Sequence, residues 1–364
     1  MRVIFLLLVI VLLEVFTFGL GRSLQWLFAE WTSKAQRRWL MISAYAVSNL
    51  LLAGMLLRVS HGIFRFGAAW LVILLFVMYA ALATFLLYLL LRRVLDTRPM
   101  SRSLRIFAPL FFVCLLGYAT YSAYTPIVRH LNITLDKPLA KPLRIGVASD
   151  LHLGVLFGAR QIDQLVETFN REKVDIILLP GDIMDDNTDY YRSENMQPHL
   201  EKLRAPLGVY ATMGNHDLFG HQAAIRAELA KAGIRVLTDE AITLPEGFTL
   251  VGRPDEMDQQ RKPTAELLQH VDTAKPVLLL DHRPTEIETH STLPIDIQVS
   301  GHVHNGQVAP ANLIVRFLNR LAYGYEAIGN GHFIVTSGYG FWGVPFRLGS
   351  QSEVWVINVT GKQP

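Results

Sequence analysis

Four apolar runs fill the first third of the 364-residue chain, at Val3–Leu20, Trp39–Leu57, Phe66–Leu91 and Leu104–Tyr124. Each is near or above the ~20 apolar residues that cross the hydrocarbon core of a bilayer. A backbone in lipid must satisfy its own polar groups, so runs of this length are expected to be helices. The first is read as a retained helix and not as a cleaved leader. Glu14 interrupts it, and Gly19-Leu20-Gly21-Arg22-Ser23 makes a poor small-x-small cleavage site. Glu14 itself is read as a hydrogen-bonding group between helices, although an ionisable residue in a span is also a candidate for function. Tyr118, Tyr121 and Tyr124 crowd the end of the fourth run, where an aromatic belt is expected.

The loop charges set an expected orientation. The first loop carries Arg22, Lys34, Arg37 and Arg38, and the third carries Arg92, Arg93, Arg98, Arg102 and Arg105. The second has only Arg58 and Arg65. Positive loops stay in the cytoplasm, which would put loops one and three inside and the rest of the chain outside, in the periplasm or the extracellular space. Arg2, Arg129, Lys137, Lys141 and Arg144 pull weakly the other way. The single cysteine, Cys114, lies in the fourth run, so no disulfide forms within the chain. A formal charge of +3 is too small to suggest a nucleic-acid partner.

The remainder reads differently. Residues 126–142 contain three prolines and are read as a connector, and residues 143–361 as an α/β domain. Short β-rich runs at 143–149, 174–179, 208–213, 276–280 and 295–300 each end in polar residues. These are Asp150-Leu151-His152, Gly181-Asp182, Gly214-Asn215-His216-Asp217, Asp281-His282 and Gly301-His302-Val303-His304. Strands buried on both faces read as continuous apolar runs, and α/β sheets place their sites at the C-terminal ends of strands. Helices are expected near 159–171, 191–203, 222–231 and 264–271, with further strands near 235–237, 249–251, 332–336 and 354–359. Carboxylate, imidazole and amide ligands in this mixture suit two divalent cations, Mn, Fe or Zn rather than Ca. Asp150 and His152 lie two apart, as do His302 and His304, so on a strand extension each pair would point to one side.

In this order, Asp-x-His, Gly-Asp, Gly-Asn-His-Asp, His and Gly-His-x-His resemble the calcineurin-like metallophosphoesterases. The stretch Gly301–Pro310 behind a membrane-spanning front end is similar to the bacterial membrane-anchored branch of that family, which usually shows a second glycine where Asn305 stands. The resemblance implies a two-sheet β-sandwich flanked by helices, preceded here by a four-helix transmembrane region. It implies that Asp150, His152 and His304 hold one metal, that Asn215, His282 and His302 hold the other, and that Asp182 bridges them. It implies hydrolysis of a phosphoric ester by in-line attack of a hydroxide shared by the two cations. His216, a non-ligand histidine in that pattern, would protonate the leaving oxygen, oriented by Asp217 or another carboxylate.

The membrane tether favours a lipid-linked substrate, with a phosphodiester or pyrophosphate bond in an envelope lipid or glycolipid as the expected target and the bilayer itself as a partner. A tethered phosphomonoesterase or cyclic-nucleotide phosphodiesterase is the alternative, and a non-catalytic scaffold a further one. Asp185, Asp186 and Asp189 read as a solvated loop that could also orient site groups, and Arg253 and Asp255 as a turn. The apolar stretch Ala311–Tyr325, with Arg316 and Arg320, reads either as a covering helix or as a segment that meets the bilayer, joined by Phe341, Trp342 and Phe346.

Overall fold

The computed structural model describes residues 2–57 and 59–362. Met1, Gln363, Pro364 and Arg58, counted above in the second loop, lie outside the described residues. The chain divides into two compact units, one through Thr120 and one from Tyr121.

The first unit holds α1 (Arg2–Leu27), α2 (Lys34–Leu56), α3 (His61–Leu91) and most of α4 (Thr97–Tyr124). Among the described residues, four helices are long and apolar enough to cross a membrane. They overrun the apolar runs because their polar flanks also carry helix signals. Ser33 and Gln36 form a capping box at the start of α2, and the Ser60 hydroxyl accepts from the Ile63 N–H at the start of α3. Small polar side chains join the helices. The Thr17 hydroxyl donates to Ser48 Oγ at 2.7 Å, and Trp70 Nε1 donates to the same oxygen at 2.8 Å. These bonds link α1, α2 and α3, the task expected above of Glu14.

The second unit is a sandwich of two six-stranded sheets. The strands are β1 (Ile127–Pro138), β2 (Leu143–Val147), β3 (Ile176–Pro180), β4 (Val209–Thr212), β5 (Ile234–Val236), β6 (Glu240–Thr243), β7 (Thr249–Gly252), β8 (Val277–Leu280), β9 (Ile297–Ser300), β10 (Gly324–Ile328), β11 (Gly331–Val335) and β12 (Glu353–Lys362). One sheet runs β1-β12-β2-β3-β4-β5, and the other β10-β11-β9-β8-β7-β6. The strands that precede the polar fragments are parallel neighbours: β2, β3 and β4 in the first sheet, β8 and β9 in the second.

Alternation along these strands builds three apolar layers. Ile176 and Leu178 of β3 face the second sheet, where they share a core with Leu278, Leu280, Ile297 and Val299. Ile177 and Leu179 face outward and pack with Leu165, Phe169 and Leu229 from the covering helices. Beyond the second sheet, Val277 and Leu279 pack against Leu267 and Leu268. Because both faces of β3 are covered, its sequence is unbroken Ile-Ile-Leu-Leu. Leu178 has no exposed surface, so Leu178→Ala should cost about 2–5 kcal/mol of stability. The denaturation midpoint of the variant measures this. A shift equivalent to less than about 1 kcal/mol would contradict the packing described.

Three elements depart from the sequence expectations, one being the helix expected over 264–271, which spans only Thr264–Leu267. Residues 126–142 are not a connector. Most of them form β1, which pairs in parallel with β12 from Ile127 to Pro138. Its period-two alternation buries Ile133 and Leu135 while His130, Asn132 and Thr134 face out, and the flanking prolines mask that signal. The helix expected over 191–203 is two short ones, Asp189–Ser193 and Gln197–Leu200, separated at Asn195, whose φ is +49°. The last turn of α4 belongs to the second unit. Ala123 lies in its outer core, the Ser352 N–H donates to the Ser122 carbonyl at 3.0 Å, and the Tyr124 ring packs on Phe157 and Phe341.

Candidate metal centre

The loops after β2, β3 and β4, parallel neighbours in one sheet, converge with those after β8 and β9, parallel neighbours in the other. The expected strand extension is absent. β2 ends at Val147, and the chain then turns through left-handed conformations at Asp150 (φ +55°) and His152 (φ +46°). Asp182, His302 and His304 do the same, at +52°, +70° and +48°. The spacing of two therefore does not act through strand geometry. Left-handed residues cost roughly 1–2 kcal/mol each, and strain of this kind persists where surrounding structure over-determines it, typically at functional sites. The glycines allow the close approach. A Cβ on Gly214 would run into the Asp182 carboxylate and backbone nitrogen, and one on Gly301 into Ser149 Oγ and the Asp150 carboxylate.

All seven expected ligands meet in two groups that share Asp182. In the first, His152 Nε2 lies 3.2 Å from His304 Nε2 and 3.8 Å from Asp182 Oδ2, and His304 Nε2 lies 3.4 Å from Asp150 Oδ1. In the second, His282 Nε2 lies 3.2 Å from Asp182 Oδ2 and 3.3 Å from Asn215 Oδ1. His302 completes that group, with ligand atoms of Asp182, His282 and His302 within 4.8 Å of one another. Apart from His302, these side chains are buried.

Three of the imidazoles are held uncharged, as cation ligands must be. Burial drives His152 down to about 3 and His302 down to about 2, and burial followed by the Arg347 charge drives His304 well below its ordinary value. These imidazoles are neutral at pH 7, so each keeps one nitrogen lone pair that can bind a cation. His282 donates from Nδ1 to the Pro180 carbonyl at 2.9 Å, which turns Nε2 toward two oxygens. Burial pushes His282 down, but the Asp182 carboxylate outweighs it and lifts the ring to about 10. Burial raises Asp150 to about 6. For Asp182, burial acts upward and the His282 charge prevails, so it stays ionised. Lone pairs and carboxylates packed this closely suit divalent cations in each group.

Around the ligands lies a supporting layer, mostly absent from the sequence reading. His216 sits beside His152, with ring centroids 5.0 Å apart, and between Phe219 at 5.2 Å and Trp342 at 5.9 Å. Its Nδ1 lies 2.5 Å from Asp186 Oδ1. Burial lowers its pKa, but the Asp186 hydrogen bond and the Asp182 charge win, and the net shift is upward. The orienting carboxylate is therefore Asp186. Asp217 instead accepts from the backbone N–H groups of Ile183, Met184 and Gly214, tying the Asp182 loop to the Asn215 loop. Arg347 is fully buried, donates to the Ser337 and Gly340 carbonyls and contacts His304 Nδ1 at 3.1 Å.

Arg253 and Asp255 are not a simple turn. Arg253 is buried against Asp281 at 3.0 Å and Glu286 at 2.7 Å, and Asp255 pairs with Arg283 at 2.6 Å, bracing the residues on either side of His282. Asp281, Glu286 and His290 are also close enough to hold a cation. There, however, Arg253 and Arg261 already neutralise both carboxylates. No local signal marks Arg347, which follows His304 by more than forty residues.

Residues 143–306 match the calcineurin-like phosphoesterase family. An uncharacterised metallophosphoesterase of Helicobacter pylori (strain J99) is 32% identical over 265 residues, covering 69% of this chain and 70% of that protein. A transmembrane protein with a metallophosphoesterase domain from Danio rerio is 28% identical over 260 residues, covering 66% of this chain and 59% of that protein. Among solved structures, a 5'-nucleotidase precursor from Thermus thermophilus aligns with a TM-score of 0.38 and 13% identity, over 60% of this chain and 55% of that one. The chain thus spans about half the length of that solved relative.

Proposed function

The chain belongs to the calcineurin-like metallophosphoesterase family, and on that premise we propose that it is a membrane-held hydrolase of phosphodiester or pyrophosphate bonds in lipid-linked substrates, working on the outer side of the membrane. One observation carries the lipid reading, an apolar rim beside His216. Trp342 (50% exposed) and Phe219 (47%) touch the His216 ring, and Val155 and Leu156 are exposed nearby in sequence to Phe157. Phe157 and Phe341 in turn clasp Tyr124, through which the chain arrives from its fourth apolar helix. The Ala311–Leu318 helix adds Phe317, 90% exposed, and Leu318, 70% exposed. It follows Gln307, which bonds the Trp342 and Val344 carbonyls. Exposed apolar surface of this extent marks a lipid or partner contact. It favours the bilayer-contact reading of 311–325 over the covering helix, since none of 311–318 is buried.

Asp150, His152, His304 and Asp182 would hold one cation, and Asp182, Asn215, His282 and His302 the other. Two divalent cations held there supply charge to neutralise a phosphate and make water acidic at neutral pH. Asp186 holds His216 by Nδ1, which leaves Nε2 to give a proton to the leaving oxygen. Phe219 and Trp342 limit water at that ring. Outward placement rests on the loop charges. Alkaline phosphatase and green fluorescent protein fused in turn to the C-terminus read it, and a fluorescent, phosphatase-inactive pair would overturn it.

Phe317→Ser/Leu318→Ser is expected to lower turnover of a phosphodiester lipid in mixed micelles about tenfold. Hydrolysis of bis-p-nitrophenyl phosphate with added Mn should stay within about twofold, because this soluble ester needs no lipid contact, whereas a tenfold loss on the lipid is about 1.4 kcal/mol of the roughly 3–6 kcal/mol that burying both side chains in lipid supplies. Equal loss on both substrates would leave the tethered soluble-substrate enzyme as the better reading.

A further inference from the structure

The membrane unit contains a feature that phosphoester chemistry does not use. A groove of about 970 Å³ opens where α1 ends and α2 begins, lined by Arg22, Lys34, Arg37 and Arg38 with Trp26 and Trp39. It has four cations on its walls and no carboxylate. The nearest acidic residue in sequence, Glu30, is paired with Arg105, whose guanidinium lies 5.7 Å over the Trp26 ring. Among the described residues, no carboxylate pairs with Arg22, Lys34, Arg37 or Arg38. The groove is held in shape by bonds to uncharged acceptors. Gln25 Nε2 donates to the Arg37 carbonyl at 2.9 Å, and Arg22 Nη1 donates to Gln25 Oε1 at 3.1 Å. Four like charges fixed around one space repel one another, and an anion there removes that cost.

A second cavity of about 730 Å³ adjoins the first, and Arg22 and Trp26 line both. Its other walls are mostly apolar and come from three helices, with Leu24 of α1, Val77 and Phe85 of α3, and Phe112 of α4 among them. Each volume falls in the ~300–1,000 Å³ range of small-molecule sites. A basic chamber joined to an apolar one, with tryptophan at the boundary, has the polarity profile of a phospholipid. Tryptophan favours the headgroup level, and clustered Lys and Arg beside a span favour anionic lipid.

We propose that this membrane unit binds one anionic phospholipid, its phosphate among Arg22, Lys34, Arg37 and Arg38 and its acyl chains in the apolar cavity between α1, α3 and α4. The site is separate from the metal centre and independent of what that centre hydrolyses. An apolar chamber that shares Arg22 and Trp26 with the basic one selects a lipid over a free phosphate ion.

The test uses the full chain in nonionic detergent, titrated with dioleoylphosphatidylglycerol, dioleoylphosphatidylcholine or inorganic phosphate, with binding read by native mass spectrometry and by thermal unfolding. Saturable one-to-one binding and a raised melting temperature are expected with phosphatidylglycerol alone. Each basic residue near an anionic headgroup contributes about fivefold in affinity, so Arg37→Gln/Arg38→Gln should weaken binding roughly 25-fold. Ala108→Trp, which fills the apolar cavity but leaves every loop charge and hence the insertion in place, should weaken it at least about tenfold. Equal effects of the two lipids would overturn the proposal. So would an equal effect of inorganic phosphate, or undiminished phosphatidylglycerol binding by whichever variant remains folded.

Discussion

Asp182→Asn is expected to leave the purified protein with fewer than one bound metal per chain, against nearly two in the wild type, and to cut turnover on the order of 10³-fold. Asp182 is the one side chain that belongs to both ligand groups, 3.2 Å from His282 Nε2 and 3.8 Å from His152 Nε2. Asparagine keeps the shape and the acceptor for the His216 N–H, bonded at 2.8 Å, so the loop should stay folded. It removes the negative charge that two cations would share and the charge that raises His282. A bound cation contributes several kcal/mol of transition-state stabilisation, and ~4 kcal/mol corresponds to about 10³ in rate. Metal analysis by mass spectrometry beside a bis-p-nitrophenyl phosphate assay with added Mn reads both effects. A variant that keeps two metals and most of its activity would remove Asp182 from the bridging role.

His216→Ala is expected to behave oppositely in metal content and similarly in rate. Its ring packs against His152, Phe219 and Trp342 and comes within 4.8 Å of the ligand atoms of His152 and Asp182, but Asp186 holds it by Nδ1. Both metals should remain, while turnover falls by roughly 10²–10⁴, the usual contribution of a positioned acid. Asp186→Asn tests the orientation separately. A group that fixes a site imidazole usually contributes 10–100-fold, so its loss should be smaller than that of His216→Ala, again with both metals bound. Loss of metal from His216→Ala would make His216 a ligand and end its assignment as the acid. A loss from Asp186→Asn as large as that from His216→Ala would mean that Asp186 does more than hold the ring.

Much of this was legible locally. The apolar runs before Asp150, Asp182, Gly214, His282 and His302 are strands because both their faces are covered, and a strand with two covered faces has no polar positions to obscure it. β1 escaped because one face is exposed at the edge of its sheet. There Ile133 and Leu135 alternate with His130, Asn132 and Thr134 among prolines, which resembles a polar connector. The expected ligands do come together in space, although one reason offered for it did not hold. Asp150 and His152, like His302 and His304, converge through left-handed turns and not along extended strand.

The supporting residues needed the fold. Asp186 reaches His216 across thirty positions, and Arg347 reaches His304 across forty-three. Asp217 proved to be a brace and not an orienter, because its carboxylate is turned to three backbone N–H groups. By itself the sequence determined the four long apolar helices, the α/β half and the candidate ligands that the fold brings together, since length, hydropathy and ligand chemistry are properties of neighbouring residues. Only the tertiary structure decided which carboxylate holds His216, which arginine backs His304, and where basic and apolar walls join among the helices. Those choices depend on contacts between distant segments, and packing sets them, not spacing along the chain.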